Sequence, residues 1–164
     1  MYRVVIFSIV AVVASAADID IETCKRSMHP GIMRCCKNDP LRKFMVLNGA
    51  EECFQIARDP VSCARDICFA KKKGFLTADD KLDKTKLEDA LTRDIENQPE
   101  FLENVKNNCI NGDLAMFGPP EFCELMKMRH CILVQAVQLC SEWSDENFCK
   151  GTKELVEECT KLFS

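Results

Sequence analysis

Twelve cysteines in a chain of 164 residues constrain the fold more than any other feature of this sequence. Their even number and high density are typical of secreted proteins whose folds are held together by disulfide bonds, so six bridges are predicted. A zinc site would need Cys-x-x-Cys pairs or closely spaced histidines, and the sequence has neither. We therefore expect disulfides, no metal site and no cofactor.

The N-terminus predicts a secretory signal peptide over residues 1–16. Arg3 precedes an apolar run from Val4 to Val13, and Ala14-Ser15-Ala16 has the small residues of a cleavage site. This run of about ten residues is too short to span a membrane. The mature protein is therefore expected outside the cell, without a membrane partner, where its cysteines can be oxidised.

Charge and motif content exclude several classes of function. The chain has 22 Lys+Arg and 26 Asp+Glu, a formal net charge of −4. A nucleic-acid partner is not expected, because no surplus of basic residues exists to displace counterions from phosphates. Gly-x-Ser-x-Gly, His-Glu-x-x-His and a Gly-rich phosphate loop are all missing from the sequence. We expect a protein that is not an enzyme.

Helix-terminus signals and apolar residues at helical spacing predict an all-α fold. Asp39-Pro40 has an acidic cap followed by proline and predicts a helix that runs through Ala57. Asp59-Pro60 repeats this start signal. Three lysines followed by Gly74 predict the end of the next helix.

The second half of the chain shows the same helical character. Thr85 and Glu88 have the spacing of a capping box, and Pro99 predicts the start of another helix. The longest periodic segment spans residues 121–140, and Gly151 separates two short closing helices. We expect a compact, disulfide-stapled bundle of about six to eight helices.

Helical geometry limits which cysteines can pair. Cys131 and Cys140 are nine residues apart on the predicted long helix and therefore point to opposite faces. Cys63 and Cys68 also diverge. The adjacent cysteines 35 and 36 would strain a shared bridge. The members of each pair are expected to bond to separate partners.

The cysteine spacing resembles that of the insect odorant-binding protein superfamily. Four residues lie between Cys63 and Cys68, forty between Cys68 and Cys109, and eight between Cys131 and Cys140. Further cysteines at 123, 149 and 159 resemble those of the Plus-C subgroup. The resemblance covers roughly residues 53–159.

This resemblance implies a bridge pattern and a function. The implied bridges are Cys53–Cys68, Cys63–Cys131 and Cys109–Cys140. The implied function is a secreted carrier that binds odorants or similar small hydrophobic molecules in extracellular fluid, as in olfaction. The cysteines outside this core are expected to tie the N-terminal arm to the C-terminal extension, and they are Cys24, Cys35, Cys36, Cys123, Cys149 and Cys159.

The expected organisation is one helical core with two appendages. An N-terminal arm spans residues 17–38, the odorant-binding-protein-like core spans 39–140, and a C-terminal helical extension packed on the core spans 141–164. A small apolar ligand is the expected partner. A chemoreceptor and a second copy of the chain are further candidate partners.

An apolar cavity and a solid core are both compatible with this sequence. Six bridges could offset the cost of an open interior, or they could protect an ordinary core from extracellular proteases. If a cavity exists, we expect its wall on the apolar face of the longest helix and in the turn before it, where methionine and phenylalanine are adaptable contacts. The candidate ligand-binding residues are Phe117, Phe122, Met126, Leu133 and Val137.

Two alternatives stay open at this point. The chain could instead be a secreted disulfide-rich interaction protein, an effector or inhibitor, that acts through its surface. His130 could be a residue on the flank of the long helix or a pH-sensitive contact near the ligand, since histidine titrates in the relevant range.

Overall fold

The computed structural model describes residues 23–24, 30–42, 44, 49–95 and 97–161. Within these residues no β-strand is formed, and five complete α-helices are joined by loops and short 3-10 helices. The α-helices are α1 (Ala64–Lys73), α2 (Lys84–Asp94), α3 (Pro99–Val105), α4 (Glu124–Gln138) and α5 (Thr152–Thr160). The 3-10 helices are Pro30–Cys35, Glu51–Gln55, Ala115–Phe117 and Asn147–Cys149. The all-α prediction is confirmed, with five α-helices where six to eight helices were expected.

The predicted signal peptide, residues 1–16, lies outside the described residues, as does half of the predicted N-terminal arm. None of the helices in the described ranges has the length and apolar character needed to cross a membrane.

The helix predicted from Asp39-Pro40 through Ala57 is not formed in the described part of that segment. Asp39 instead closes a turn, in which its carboxylate accepts a hydrogen bond from the Leu41 N–H at 2.8 Å. Gly49 then adopts a φ of +77°, which a right-handed helix cannot contain. A short 3-10 helix, Glu51–Gln55, is all that remains of the expected element.

Helix α1 begins and ends close to its sequence signals. The Asp59-Pro60 signal marks a turn, in which the Cys63 N–H donates to the Asp59 carbonyl at 2.8 Å, and the helix starts directly after it. At the other end Gly74 has a φ of +81°, and its N–H donates to the carbonyls of Ala70 and Lys71. The predicted end of this helix is confirmed.

The N-terminus of α2 differs from the prediction. Asp83 is the capping residue, and its carboxylate accepts a hydrogen bond from the Lys86 N–H at 3.1 Å. The capping box predicted from Thr85 and Glu88 is wrong, because both residues already lie inside the helix.

Helix α3 starts at Pro99 as predicted and continues into a π-helical turn, Lys106–Ile110. Helix α4 is shorter than the predicted span of 121–140. It begins only after Cys123, whose Sγ accepts a hydrogen bond from the Met126 N–H at 3.3 Å.

Helix α4 forms the centre of the molecule. Most of its side chains are buried, and it packs against α1, α3 and α5. The largest fully buried apolar side chains are Phe101, Leu87, Leu91 and Val105 on neighbouring helices, and Val134 and Val137 on α4 itself. The neighbouring elements are therefore arranged with respect to this one helix.

All twelve cysteines are paired, so the prediction of six bridges is confirmed. In chain order the bridges are Cys24–Cys159, Cys35–Cys149, Cys36–Cys140, Cys53–Cys68, Cys63–Cys123 and Cys109–Cys131. The adjacent cysteines 35 and 36 have separate partners, as predicted from the strain of a shared bridge, and so do the pairs 63 and 68, and 131 and 140, as predicted from helical geometry. Two bridges, Cys24–Cys159 and Cys35–Cys149, link the N-terminal arm to the C-terminal extension as expected. The same expectation is wrong for Cys36 and Cys123, which bond to Cys140 and Cys63 of the predicted core.

Of the three bridges implied by the family resemblance, Cys53–Cys68 is confirmed and the other two are wrong. Cys63 bonds to Cys123 because the two residues stand directly before α1 and α4, with their Cα atoms 6.3 Å apart. Cys109 bonds to Cys131 because the π-helical turn after α3 packs on the middle of α4. Cys140 lies beyond the end of α4 and bonds to Cys36.

Candidate functional site

The candidate site is a pocket of about 460 Å³ between α1, α4 and the segment around residues 33–44. This volume falls in the range of roughly 300–1,000 Å³ typical of small-molecule sites. A second pocket, between α2 and α3, measures only about 160 Å³. The apolar side chains that line the larger pocket are Met33, Leu41, Phe44, Phe54, Phe69, Ala70, Phe75, Leu87, Leu125, Met128, Ile132 and Leu133.

Two helix faces supply opposite walls of this pocket. Helix α1 presents residues 66, 69, 70 and 73, and α4 presents residues 125, 128, 129, 132 and 133. Both sets have the spacing of three and four residues that places side chains on one face of a helix. The Cys63–Cys123 bridge joins the residues that directly precede the two helices. It therefore fixes the two walls relative to each other at the N-terminal ends of the helices.

Aromatic pairs extend the apolar surface. The rings of Phe54 and Phe69 meet edge to face with their centroids 5.1 Å apart. The rings of Phe44 and Phe75 are stacked at 6.4 Å. Phe54 is 58 % exposed, so this part of the pocket opens to solvent. The pocket thus combines a buried wall on α4 with an accessible aromatic edge.

Charged side chains also line the pocket, and most of them are basic. The six cationic residues are Arg34, Arg42, Arg58, Arg65, Lys73 and Arg129, and the two acidic residues are Asp39 and Asp66. Burial raises the pKa of the Asp39 carboxyl, against the opposing effects of the Leu41 hydrogen bond and the nearby Arg42. The lining therefore carries an excess of positive charge.

Arg129 is a partly buried cation, with 29 % of its side chain exposed. Its Nη1 donates to Asp66 Oδ1 at 2.6 Å and its Nη2 donates to Met126 Sδ at 2.8 Å. Its Nε is buried and has no hydrogen-bond partner in the described part of the chain. Burial lowers the pKa of Arg129, the neighbouring guanidinium groups of Arg58 and Arg65 lower it further, and Asp66 opposes this shift.

Arg65 contributes to the site through the backbone. Its Nε donates to the Ile56 carbonyl at 2.5 Å and its Nη2 donates to the Phe54 carbonyl at 3.1 Å. These bonds hold the loop that precedes α1 against the helix. The loop in turn places Phe54 and Arg58 at the pocket edge.

Of the five residues predicted from the sequence to bind a ligand, Leu133 lines the pocket. Met126 lies beside it and contacts Arg129, while Val137 is buried in the core one turn beyond. The buried Phe117 places its carbonyl 3.0 Å from His130 Nδ1, and the Phe122 ring lies 6.1 Å from the His130 ring. The structure therefore does not gather these five side chains at one place.

The prediction missed the α1 wall and the arginines. Phe69 and Ala70 stand at helical spacing from Asp66 and Lys73, so the sequence does place these four residues on one face of a helix. The three lysines that end the helix predict only a charged terminus. No sequence signal places Arg58, Arg65 and Arg129 together, because the first two lie 71 and 64 residues before the third.

In the ranges that the structure describes, no group of three or more His, Cys, Asp or Glu residues is arranged to hold a metal ion. No protein-family model, curated protein or solved structure matches this chain.

Proposed function

We propose that this protein is a secreted, non-enzymatic carrier that binds small hydrophobic molecules in the pocket between α1 and α4. The observation that carries the proposal is the pocket itself, which has the volume of a small-molecule site and a mostly apolar lining. Removing apolar ligand surface from water contributes about 25 cal/mol per Å². Binding would therefore follow ligand size and raise the solubility of the bound molecule.

The disulfide framework supports this proposal by limiting collapse of the pocket. Cys53–Cys68 links the loop containing Phe54 to α1, and Cys63–Cys123 links α1 to α4. A site whose walls are already fixed loses little conformational entropy when a ligand enters. The bridges thus favour a pre-formed pocket over one assembled by the ligand.

The order of the bridges supports the resemblance to odorant-binding proteins. The resemblance implies that six core cysteines pair first with third, second with fifth, and fourth with sixth. If Cys123 is counted as the fifth core cysteine and Cys131 as the sixth, the observed bridges have the same order. Cys53–Cys68 is then first with third, Cys63–Cys123 second with fifth, and Cys109–Cys131 fourth with sixth. The core cysteines are then 53, 63, 68, 109, 123 and 131, with seven residues between the last two in place of eight, and we propose an odorant carrier.

A fluorescent apolar probe tests the proposal. Wild-type protein is expected to bind N-phenyl-1-naphthylamine saturably and to release it when neutral volatile molecules are added. Leu133→Trp fills part of the pocket and is expected to weaken probe binding about tenfold with little loss of stability. Fluorescence titration and thermal unfolding of the same samples measure both effects.

Val137→Trp is the matched control on the same helix. Val137 is buried outside the pocket lining, so a larger side chain there overpacks the core and destabilises the fold by about 1–3 kcal/mol. The folded variant is expected to keep its affinity for the probe. Wild-type protein that binds no apolar probe would contradict the carrier and favour a secreted interaction protein that acts through its surface.

A further inference from the structure

We propose that the pocket selects apolar ligands that end in a carboxylate, and that Arg58, Arg65 and Arg129 bind this anionic group. The inference rests on the proposed carrier function and specifies its ligand class. Three observations carry it: the sign of the charge lining the pocket, the unused donors of the arginines, and the position of these arginines relative to the apolar wall.

The charge of the pocket is opposite to that of the molecule. The whole chain has a formal net charge of −4, yet six cationic and two acidic side chains line this one pocket. Ligands that are only apolar gain nothing from such a lining. A carboxylate would be attracted to it, and a partly enclosed site with low-dielectric walls strengthens that attraction.

The arginines have hydrogen-bonding capacity to spare. Arg129 has five N–H donors, and among the described residues only Asp66 offers it an oxygen acceptor. Neither Arg58 nor Arg65 lies within ion-pair distance of a carboxylate in the described part of the chain. Of these three guanidinium groups only that of Arg129 has an ion-pair partner among the described residues, and a bound carboxylate would reduce the repulsion that Arg58 and Arg65 exert on it.

Arg65 and Arg129 lie at the same end of the two walls. Arg65 precedes Phe69 by four residues on α1, and Arg129 precedes Leu133 by four residues on α4. The Cys63–Cys123 bridge and the Asp66–Arg129 ion pair both hold the N-terminal parts of these helices together. A ligand with its carboxylate at this end would therefore extend its apolar chain along Phe69 and Leu133.

The test compares laurate with dodecanol, which has the same chain and no charge. Displacement of N-phenyl-1-naphthylamine at neutral pH and low salt is expected to show laurate binding about tenfold more tightly, the size of one charge-assisted hydrogen bond at a partly exposed site. Added salt is expected to reduce this preference, because Arg58 is exposed to solvent.

Arg58→Gln is the informative variant, since Arg58 makes no hydrogen bond in the described residues and its loss leaves the fold intact. It is expected to lower the affinity for laurate several-fold more than the affinity for dodecanol. The matched control is Arg93→Gln on α2, where Arg93 is exposed and its partner Asp94 keeps Lys73 as a second ion-pair partner. This control is expected to preserve the preference for laurate.

The outcomes separate this inference from the proposed function. Equal affinity for laurate and dodecanol would overturn the carboxylate preference and leave the carrier function standing. An unchanged preference in Arg58→Gln, equal to that in Arg93→Gln, would overturn the assignment of all three arginines, because Arg58 would then make no contact with the carboxylate. Binding of neither ligand, nor of the probe, would contradict both proposals.

Discussion

At the scale of single residues, two neighbours on α4 have different surroundings and different consequences. Arg129 lies at the pocket and is paired with Asp66, sixty-three residues away in the chain. His130 points to the turn before α4, where its Nδ1 lies 3.0 Å from the Phe117 carbonyl. A carbonyl oxygen can only accept a hydrogen bond, so the neutral imidazole carries its proton on Nδ1.

Protonation of His130 is disfavoured in the folded protein. Burial lowers the pKa of His130 below its usual value of 6.5, and the adjacent Arg129 lowers it further. The Phe117 hydrogen bond and Asp66 oppose this shift without reversing it. As the pH falls through 6.5 the unfolded chain takes up a proton before the folded protein does, so stability is lost below that pH.

We predict that His130→Gln removes this pH dependence. As the pH is lowered from about 8 to about 5, the free energy of unfolding of the wild type is expected to decrease relative to that of the variant. Guanidinium unfolding at a series of pH values, with the disulfides intact, measures the difference. Parallel profiles for the two proteins would show that the pKa of His130 is the same in the folded and unfolded states.

At the scale of elements, helix starts depend on which polar side chain reaches a free backbone N–H. Asp83 caps α2 through the Lys86 N–H, and this hydrogen bond lowers the pKa of the Asp83 carboxyl. Thr85 has the right residue type for a cap, yet it lies within the first turn and makes no capping contact. A local motif therefore predicted the helix but not its first residue.

We predict that Asp83→Ala lowers the melting temperature and that Thr85→Ala does not. Loss of the Asp83 carboxylate leaves an N–H at the start of α2 without its acceptor. Asp83→Asn retains an acceptor oxygen and is expected to lie close to wild type. Thermal unfolding followed by circular dichroism ranks the melting temperatures of the three variants. A larger decrease for Thr85→Ala than for Asp83→Ala would show that Thr85 caps the helix.

At the scale of the whole molecule, the bridges are nested around α4. Cys24–Cys159 closes a sequence separation of 135 residues, and Cys35–Cys149 closes 114 residues inside it. When Cys35–Cys149 is formed, it shortens the loop of unfolded chain that Cys24–Cys159 closes. With Cys35–Cys149 intact, Cys24–Cys159 restrains a loop of roughly twenty residues in the unfolded chain.

We predict that the double variant Cys24→Ala/Cys159→Ala loses about 3 kcal/mol of stability, because the bridge it removes closes only the short loop left by Cys35–Cys149. An isolated bridge that closed a loop of the full length would be expected to contribute roughly 5 kcal/mol. Guanidinium unfolding of the oxidised variant measures this loss. Peptide mapping of the same non-reduced protein is expected to recover the Cys63–Cys123 and Cys109–Cys131 links. A loss near the larger value, or a Cys131–Cys140 link, would contradict the nested arrangement.

Local sequence determined the helical character of this protein and several of its helix ends. The α1 terminus at Gly74 and the α3 start at Pro99 follow from backbone preferences that act within a few residues. The strain of a bridge between adjacent residues predicted correctly that Cys35 and Cys36 bond to separate partners, and helical geometry predicted the same of Cys131 and Cys140. These outcomes need no knowledge of distant parts of the chain.

Only the tertiary structure decided which cysteines meet and where a pocket forms. Cys63 bonds to Cys123 because α1 and α4 start side by side. The periodicity of apolar residues predicts each helix but gives no information about the distance between two helices. Arg58 and Arg65 reach Arg129 for the same reason, since the interaction of charges depends on their separation in space. The α4 face that the sequence marked as apolar is divided by this packing, with Leu133 at the pocket and Val137 in the core.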